Sequence, residues 1–101
     1  MKLNKENFIF TTKIDLPDGG FIVLREPTDG ELKGFSGEAR EDADKLRKIF
    51  PACIIEHNYD DAKTQEVAEA LSASGSLFAD ILTKWMQDIP FQNRIAGKSG
   101  K

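Results

Sequence analysis

A β-hairpin is predicted by the sequence FIFTTKIDLPDGGFIVL, residues 8–24, on which the fold of this chain depends. The even-numbered positions from Phe8 to Leu16 share one face of an extended chain, and the odd positions after residue 10 are polar. PDGG at residues 17–20 then supplies turn residues, because glycine accepts the positive φ angles of tight turns. A second β-rich run at residues 21–24 completes the hairpin.

Helices are predicted after the hairpin. Thr28 and Glu31 have the spacing of a capping box, so a helix begins here. Its apolar positions recur every three or four residues and form one stripe: Leu32, Phe35, Ala39, Ala43, Leu46 and Phe50. Gly34 and Gly37 predict a break or bend in this helix. Pro51 predicts either its end or the start of a short new helix with a buried turn over residues 52–55, followed by a loop.

Two further helices are indicated towards the C-terminus. Thr64 is a candidate cap for one helix. Ser74-Gly75-Ser76 predicts the end of that helix, followed at once by the cap of the next one. The last helix, over residues 77–89, carries an apolar stripe so wide that it is either buried or faces a partner. Pro90 ends it.

Together these patterns predict an α+β fold, an N-terminal β-hairpin packed on a small bundle of three to four α-helices. We expect one domain over residues 8–91, a flexible N-terminus over 1–7 and a flexible polar tail over 92–101. An isolated hairpin is not stable in water, so its apolar face requires helices to pack on. The expected contacts join the hairpin residues Phe8, Phe10, Ile14 and Val23 to the helical residues Leu46, Phe50, Ile81 or Leu82.

Composition excludes several classes of function. The chain has 101 residues, a net charge of −3 and 40% hydrophobic residues, so it has room for one globular core. A weakly acidic surface disfavours nucleic-acid binding, and no apolar run is long enough for a membrane span or signal peptide. Cys53 is the only cysteine, which excludes an intrachain disulfide and fits a reducing cytoplasm.

Candidate catalytic and ligand groups are few. Cys53 and His57 are spaced for two zinc ligands or a nucleophile–base pair, but no second cysteine or histidine exists to complete such a zinc site. Gly97-Lys98-Ser99 imitates the end of a P-loop, yet Gln92 occupies the position of the earlier glycine. We therefore expect no enzymatic activity, no bound metal and no cofactor.

Protein binding remains as the expected activity. The candidate partner-binding residues are Trp85, Met86, Ile89 and Phe91, because tryptophan is a favoured interface anchor and this helix has more apolar surface than a hairpin and two modest helices need. The alternative is that the same side chains fill the core of the domain.

One sequence resemblance points to a family. FPACIIEHNY at residues 50–59, followed by TQEVAEAL at 64–71, resembles the tail assembly chaperones of long-tailed bacteriophages and prophages. LPDGG at 16–20 and DIPF at 88–91 add to this resemblance, which covers about residues 8–91.

The resemblance implies a chaperone that binds and solubilises the tape-measure protein in the host cytoplasm and helps to recruit tail-tube subunits. It also implies self-association into a homo-oligomer and absence from the finished virion. The alternative function is that of a structural tail or head–tail adaptor component, acting as a protein-interaction module within the virion.

Overall fold

A computed structural model describes residues 1–4 and 8–90 of the chain. These residues form a three-stranded antiparallel sheet and four helices, which confirms the predicted α+β class. The elements in chain order are β1 (Thr11–Asp15), β2 (Phe21–Arg25), α1 (Asp29–Leu32), α2 (Ala39–Cys53), β3 (Ile54–His57), α3 (Thr64–Ala73) and α4 (Gly75–Asp88).

The predicted hairpin is confirmed as β1 paired with β2. Ile14 lies opposite Ile22 in an antiparallel register. The turn is closed by the amide of Leu16, which donates to the carbonyl of Gly20 over 2.8 Å. Gly19 has a φ of 91°, a left-handed conformation that favours glycine. The turn residues therefore fix the register that the alternation of the strands requires.

A third strand, β3, was not predicted from the sequence. It pairs antiparallel with β2, with Val23 opposite Glu56 and Leu24 opposite Ile54, so β2 is the central strand. The extra residue between these two pairs, Ile55, makes a β-bulge. The prediction of a buried helical turn over residues 52–55 is wrong for Ile54 and Ile55, because a short apolar run fits a strand as well as a helix.

Glycines separate the first two helices. The capping box at Thr28 is confirmed. The Thr28 side chain accepts a hydrogen bond from the amide of Glu31, and the Glu31 carboxylate accepts one from the amide of Thr28. Gly34 and Gly37 have φ angles of 88° and 91°, which confirms the predicted break. Pro51 lies inside α2, so the prediction that it ends or begins a helix is wrong. It removes one hydrogen-bond donor in the last turn, where the helix needs only to reach Cys53.

The last two helices begin close to their predicted caps. Lys63 is the cap position of α3, one residue before the predicted Thr64, and its amide donates to the carboxylate of Glu66 over 2.8 Å. A stop followed by a fresh cap was predicted over residues 74–76, and the structure places the cap at Ser74, whose hydroxyl accepts from the amide of Leu77; α4 thus begins two residues before the predicted Leu77.

One core lies between the inner face of the sheet and the helices. Its centre is aromatic, with the ring of Phe50 centred 5.2 Å from that of Phe78 and 6.2 Å from that of Trp85. The sheet contributes Ile22 and Leu24, both without exposed surface. Burying such side chains contributes roughly 1.5–3 kcal/mol each, so this layer supplies much of the stability.

The predicted packing of the hairpin is confirmed in part. Ile14 is buried in one cluster with Leu46, Phe50 and Ile81, and Leu82 packs against that cluster. Val23 is half-buried on the opposite face of β2.

The expectation that Phe8 and Phe10 are buried is wrong. Each is 69% exposed. Both precede β1, and α4 ends near Thr12, whose hydroxyl donates to the Asp88 carboxylate. The two phenylalanines therefore extend beyond the last helical turn that covers the sheet.

Candidate protein-binding surface

Trp85 and Ile89, two of the predicted partner-binding residues, lie inside the monomer. The side chain of Trp85 has no exposed surface, and Ile89 is 3% exposed. The indole N–H of Trp85 donates to the backbone carbonyl of Arg25 over 3.1 Å, so its polar atom is also used within the fold. The expectation that these two side chains are exposed is wrong, because α4 packs on β1 and α3 with Trp85 against Phe50, so its apolar stripe covers the core of the monomer.

The other two predicted residues differ in position. Met86 is half-buried and packs against the edge of the core. It is thus the one residue of the predicted set that the described chain places partly on the surface. Phe91 lies outside the described residues.

A different apolar surface is exposed at the start of the sheet. We call it the N-terminal apolar patch and define it by Phe8, Ile9, Phe10 and Ile55, which are 69%, 41%, 69% and 54% exposed. Ile9 and Ile55 together line a shallow depression of about 360 Å³ on the sheet. Ile9 also lines an adjoining depression of about 350 Å³ beside Pro27. Ile9 and Ile55 are the members of the patch that share a depression, and Phe8 and Phe10 are exposed next to Ile9 along the chain. Exposed apolar side chains of this kind are typical of interaction sites.

The β-bulge places two consecutive residues of β3, Ile55 and Glu56, on the outer face of the sheet. Strict alternation turns the two neighbours of a buried strand residue to the outer face and the next residue inward. In β3, Ile54 is buried, whereas both Ile55 and Glu56 are exposed. The extra residue therefore adds an apolar side chain to the outer surface without removing one from the core.

Arg25 is a charged residue that lines both depressions. Its guanidinium donates to both carboxylate oxygens of Glu31 over 2.9 Å each, and to the carbonyl of Glu26. The carboxylate of Glu31 also accepts from the amide of Thr28 over 2.8 Å. These bonds hold Arg25 against the sheet, so the depressions have a preformed wall.

The charges of this pair perturb each other. Hydrogen bonds from Arg25 are the main cause that holds the pKa of Glu31 below its ordinary value of 4.5, against a smaller effect of burial. The same hydrogen bonds raise the pKa of Arg25. The ion pair therefore stabilises the fold at neutral pH and weakens when the carboxylate is protonated.

Glu31→Gln is expected to lower the free energy of unfolding by about 1–2 kcal/mol at pH 7, because a charged hydrogen-bonded acceptor becomes neutral. A lowered pKa means that the contribution is complete above pH 4.5 and is lost as the pH falls through the folded-state value. Urea titrations from pH 7 to pH 3 should show the difference between wild type and variant shrinking with acid. Glu69→Gln, on the exposed face of α3, is the matched control, and a constant difference would contradict this origin.

A smaller depression of about 180 Å³ lies between the hairpin turn and α3. The hydroxyl of Tyr59 donates to the carboxylate of Asp18 at its rim over 2.8 Å. Burial is the first cause that raises the pKa of Tyr59 to about 12, and the hydrogen bond to Asp18 adds to it. A Cβ atom at Gly20 would lie 2.2 Å from the Tyr59 hydroxyl oxygen, so glycine is needed for this close approach. These contacts fix the turn on the helical layer.

Cys53 and His57 make separate contacts within the fold. Burial raises the pKa of the Cys53 thiol from 9.0 to about 12, so the nucleophilic thiolate is scarce at neutral pH. Its sulfur lies 4.0 Å from a carboxylate oxygen of Glu31. His57 accepts the amide hydrogen of Tyr59 at Nδ1, a local contact in the loop.

Residues 1–4 and 8–90 contain no group of three or more histidine, cysteine, aspartate or glutamate side chains arranged to hold a metal ion. No helix in these ranges is both long enough and apolar enough to cross a lipid bilayer.

Comparison of the chain with models of known protein families, with curated proteins and with solved structures finds no match. The sequence signal that could have indicated part of the N-terminal apolar patch is the apolar run Phe8-Ile9-Phe10 before β1. Strand alternation placed Phe8 and Phe10 in the core, because periodicity does not show where the covering helix ends.

Proposed function

We propose that this chain is a tail assembly chaperone of a long-tailed bacteriophage or prophage. In this role it binds and solubilises the tape-measure protein in the host cytoplasm and helps to recruit tail-tube subunits, without catalysis and without a cofactor. The resemblance of residues 50–59 and 64–71 supports the family. The N-terminal apolar patch is the observation that carries the binding function.

The physical requirement for such a chaperone is an apolar surface on a body that stays dispersed. A long helical client has apolar faces that aggregate until tube subunits surround them, and a complementary apolar surface shields them. Phe8, Phe10 and Ile55 have large side chains that are already exposed, so binding a client through them removes no contact from the core. The net charge of −3 disfavours aggregation of the chaperone itself.

The location of the client surface differs from the one predicted from sequence. Binding through Trp85 or Ile89 requires α4 to leave the sheet, which would expose the centre of the core. Binding through the N-terminal apolar patch needs no rearrangement. We therefore propose that the client binds to the N-terminal apolar patch. Met86, the half-buried residue of the predicted set, serves to test the alternative that the client binds to α4.

The double substitution Phe10→Ser with Ile55→Ser is expected to weaken binding of a tape-measure fragment at least about tenfold, since interface anchors contribute about 1–3 kcal/mol each. Co-expression should show the fragment soluble with wild type and insoluble with the variant. Met86→Ser is the matched control, and circular dichroism checks that both variants fold. Loss of binding only in the Met86 variant would indicate that the client binds to α4 and not to the N-terminal apolar patch.

A second experiment separates a chaperone from a structural component. Mass spectrometry of purified virions should not detect this chain, because a chaperone leaves before the tail is complete. Stoichiometric presence in virions would favour the tail or head–tail adaptor alternative. A folded wild type that leaves the tape-measure fragment insoluble and unbound contradicts the chaperone proposal.

A further inference from the structure

The sheet has an open edge at β1. This strand pairs with β2 on one side, and in the described part of the chain no strand pairs with its other side. The carbonyl of Phe10 and the amide of Leu16 both bond to the β2 side, over 2.9 and 2.8 Å. Because bonding directions alternate along an antiparallel strand, the backbone groups of Thr11, Lys13 and Asp15 face the open edge.

The side chains at this edge carry opposite charges. Lys13 and Asp15 are both exposed on the outer face of the sheet. The ammonium nitrogen of Lys13 lies 4.5 Å from the centre of the Phe21 ring, which holds the charge over the sheet. An added strand therefore meets one positive and one negative side chain, two residues apart.

Charge selects one register for pairing with a second copy. Antiparallel self-pairing must place odd-numbered residues opposite odd-numbered ones, because these carry the free backbone groups. Registers centred on Lys13 or on Asp15 place like charges directly opposite, which is unfavourable. The register centred on Ile14 places Lys13 of each copy opposite Asp15 of the other. Both ion pairs then form at once, together with the hydrogen bonds of those two residue pairs.

The adjacent helix surface has the same self-complementarity. A depression of about 270 Å³ lies between the β1 edge and α4, with Asp80 and Lys84 on its helical side. Both of these side chains are exposed. A two-fold axis perpendicular to the sheet makes the two α4 helices antiparallel, so Asp80 of one copy faces Lys84 of the other. One symmetry axis thus satisfies both sets of charges.

We propose that two copies of this chain dimerise by antiparallel pairing of β1, centred on Ile14, into a continuous six-stranded sheet. The occupant of the edge is a second copy because the charges on β1 and on α4 are complementary to themselves under one axis. This inference does not depend on the proposed function. Ile55, on the opposite edge strand β3, stays exposed in such a dimer.

Charge reversal tests the pairing. Analytical ultracentrifugation of the full chain should show a concentration-dependent dimer for wild type. Lys13→Asp or Asp15→Lys alone should weaken it at least about tenfold, because like charges then face each other. An equimolar mixture of the two variants should recover the dimer as a heterodimer, since each supplies the charges that the other lacks. The doubly substituted chain, with both changes, should dimerise like wild type.

Folding and register have separate controls. Circular dichroism and thermal unfolding should show that each single variant stays folded, and Glu41→Lys reverses a charge away from β1 and α4 without affecting the dimer. Each of three results would overturn the proposal: a wild type that is monomeric, a dimer that persists unchanged in both single variants, or a mixture of the two variants that stays monomeric. It would also be overturned if the β1 amides were protected from hydrogen exchange only after a client peptide is added, because a client strand would then occupy the edge.

Discussion

Replacing Trp85 with alanine is expected to lower the free energy of unfolding by about 3–5 kcal/mol. The side chain has no exposed surface, contacts Phe50 in the aromatic centre and donates its N–H to the carbonyl of Arg25. Its removal leaves a cavity and an unpaired carbonyl between the sheet and α4. Because small domains have a total stability of about 5–15 kcal/mol, this loss is a large fraction of the whole.

Urea denaturation followed by circular dichroism measures this loss, since Trp85 is the only tryptophan and its fluorescence disappears with it. Trp85→Phe keeps most of the apolar volume and should cost clearly less than alanine. Met86→Ala, at the next position on the same helix, is the matched control for a half-buried side chain. If alanine at position 85 costs less than about 1 kcal/mol, the indole does not lie at the centre of the core.

Asp42→Ala is expected to cost about 2–4 kcal/mol, because it removes a buried charged acceptor and leaves three partly buried donors without it. Asp42 is 3% exposed, and its carboxylate accepts from the amides of Ser36 and Gly37 over 2.8 Å each and from the Ser36 hydroxyl. These bonds close the loop between α1 and α2. Chemical denaturation should show the loss, and faster hydrogen exchange of the Ser36 and Gly37 amides should place it in this loop.

Asp44→Ala is the control for that substitution, because Asp44 is exposed on the same helix. Its effect should stay within about 0.5 kcal/mol. Equal effects of the two substitutions would mean that the carboxylate at position 42 acts through general helix charge and not through the loop.

Local sequence signals predicted most of the secondary structure. The turn at residues 17–20, the capping box at Thr28, the glycine break at Gly34 and the helix boundary over residues 74–76 each depend on interactions within a few residues. Such interactions can be predicted directly from the local sequence. The third strand was missed because its pairing with β2 joins residues about thirty positions apart, and a run of four residues carries no distinctive period.

The candidate site was harder to predict for the same reason. Exposure of an apolar side chain depends on where another element ends, and the end of α4 at Asp88 leaves Phe8 and Phe10 uncovered. The apolar stripe of α4 packs on β1 and α3, so Trp85 and Ile89 form part of the core of the monomer. The pairing of α4 with those elements depends on tertiary contacts, and helical periodicity alone does not separate a buried stripe from a partner-facing one.

The buried thiol of Cys53 has a practical consequence for spectroscopy. Maleimide reagents attack thiolates, and a thiol with a pKa of about 12 and no exposed surface reacts slowly with them at neutral pH. A cysteine engineered at any exposed position would then be the one labelled site on a folded chain. The native sequence is thus already suited to attaching a fluorophore or spin label, with no need to remove its own cysteine.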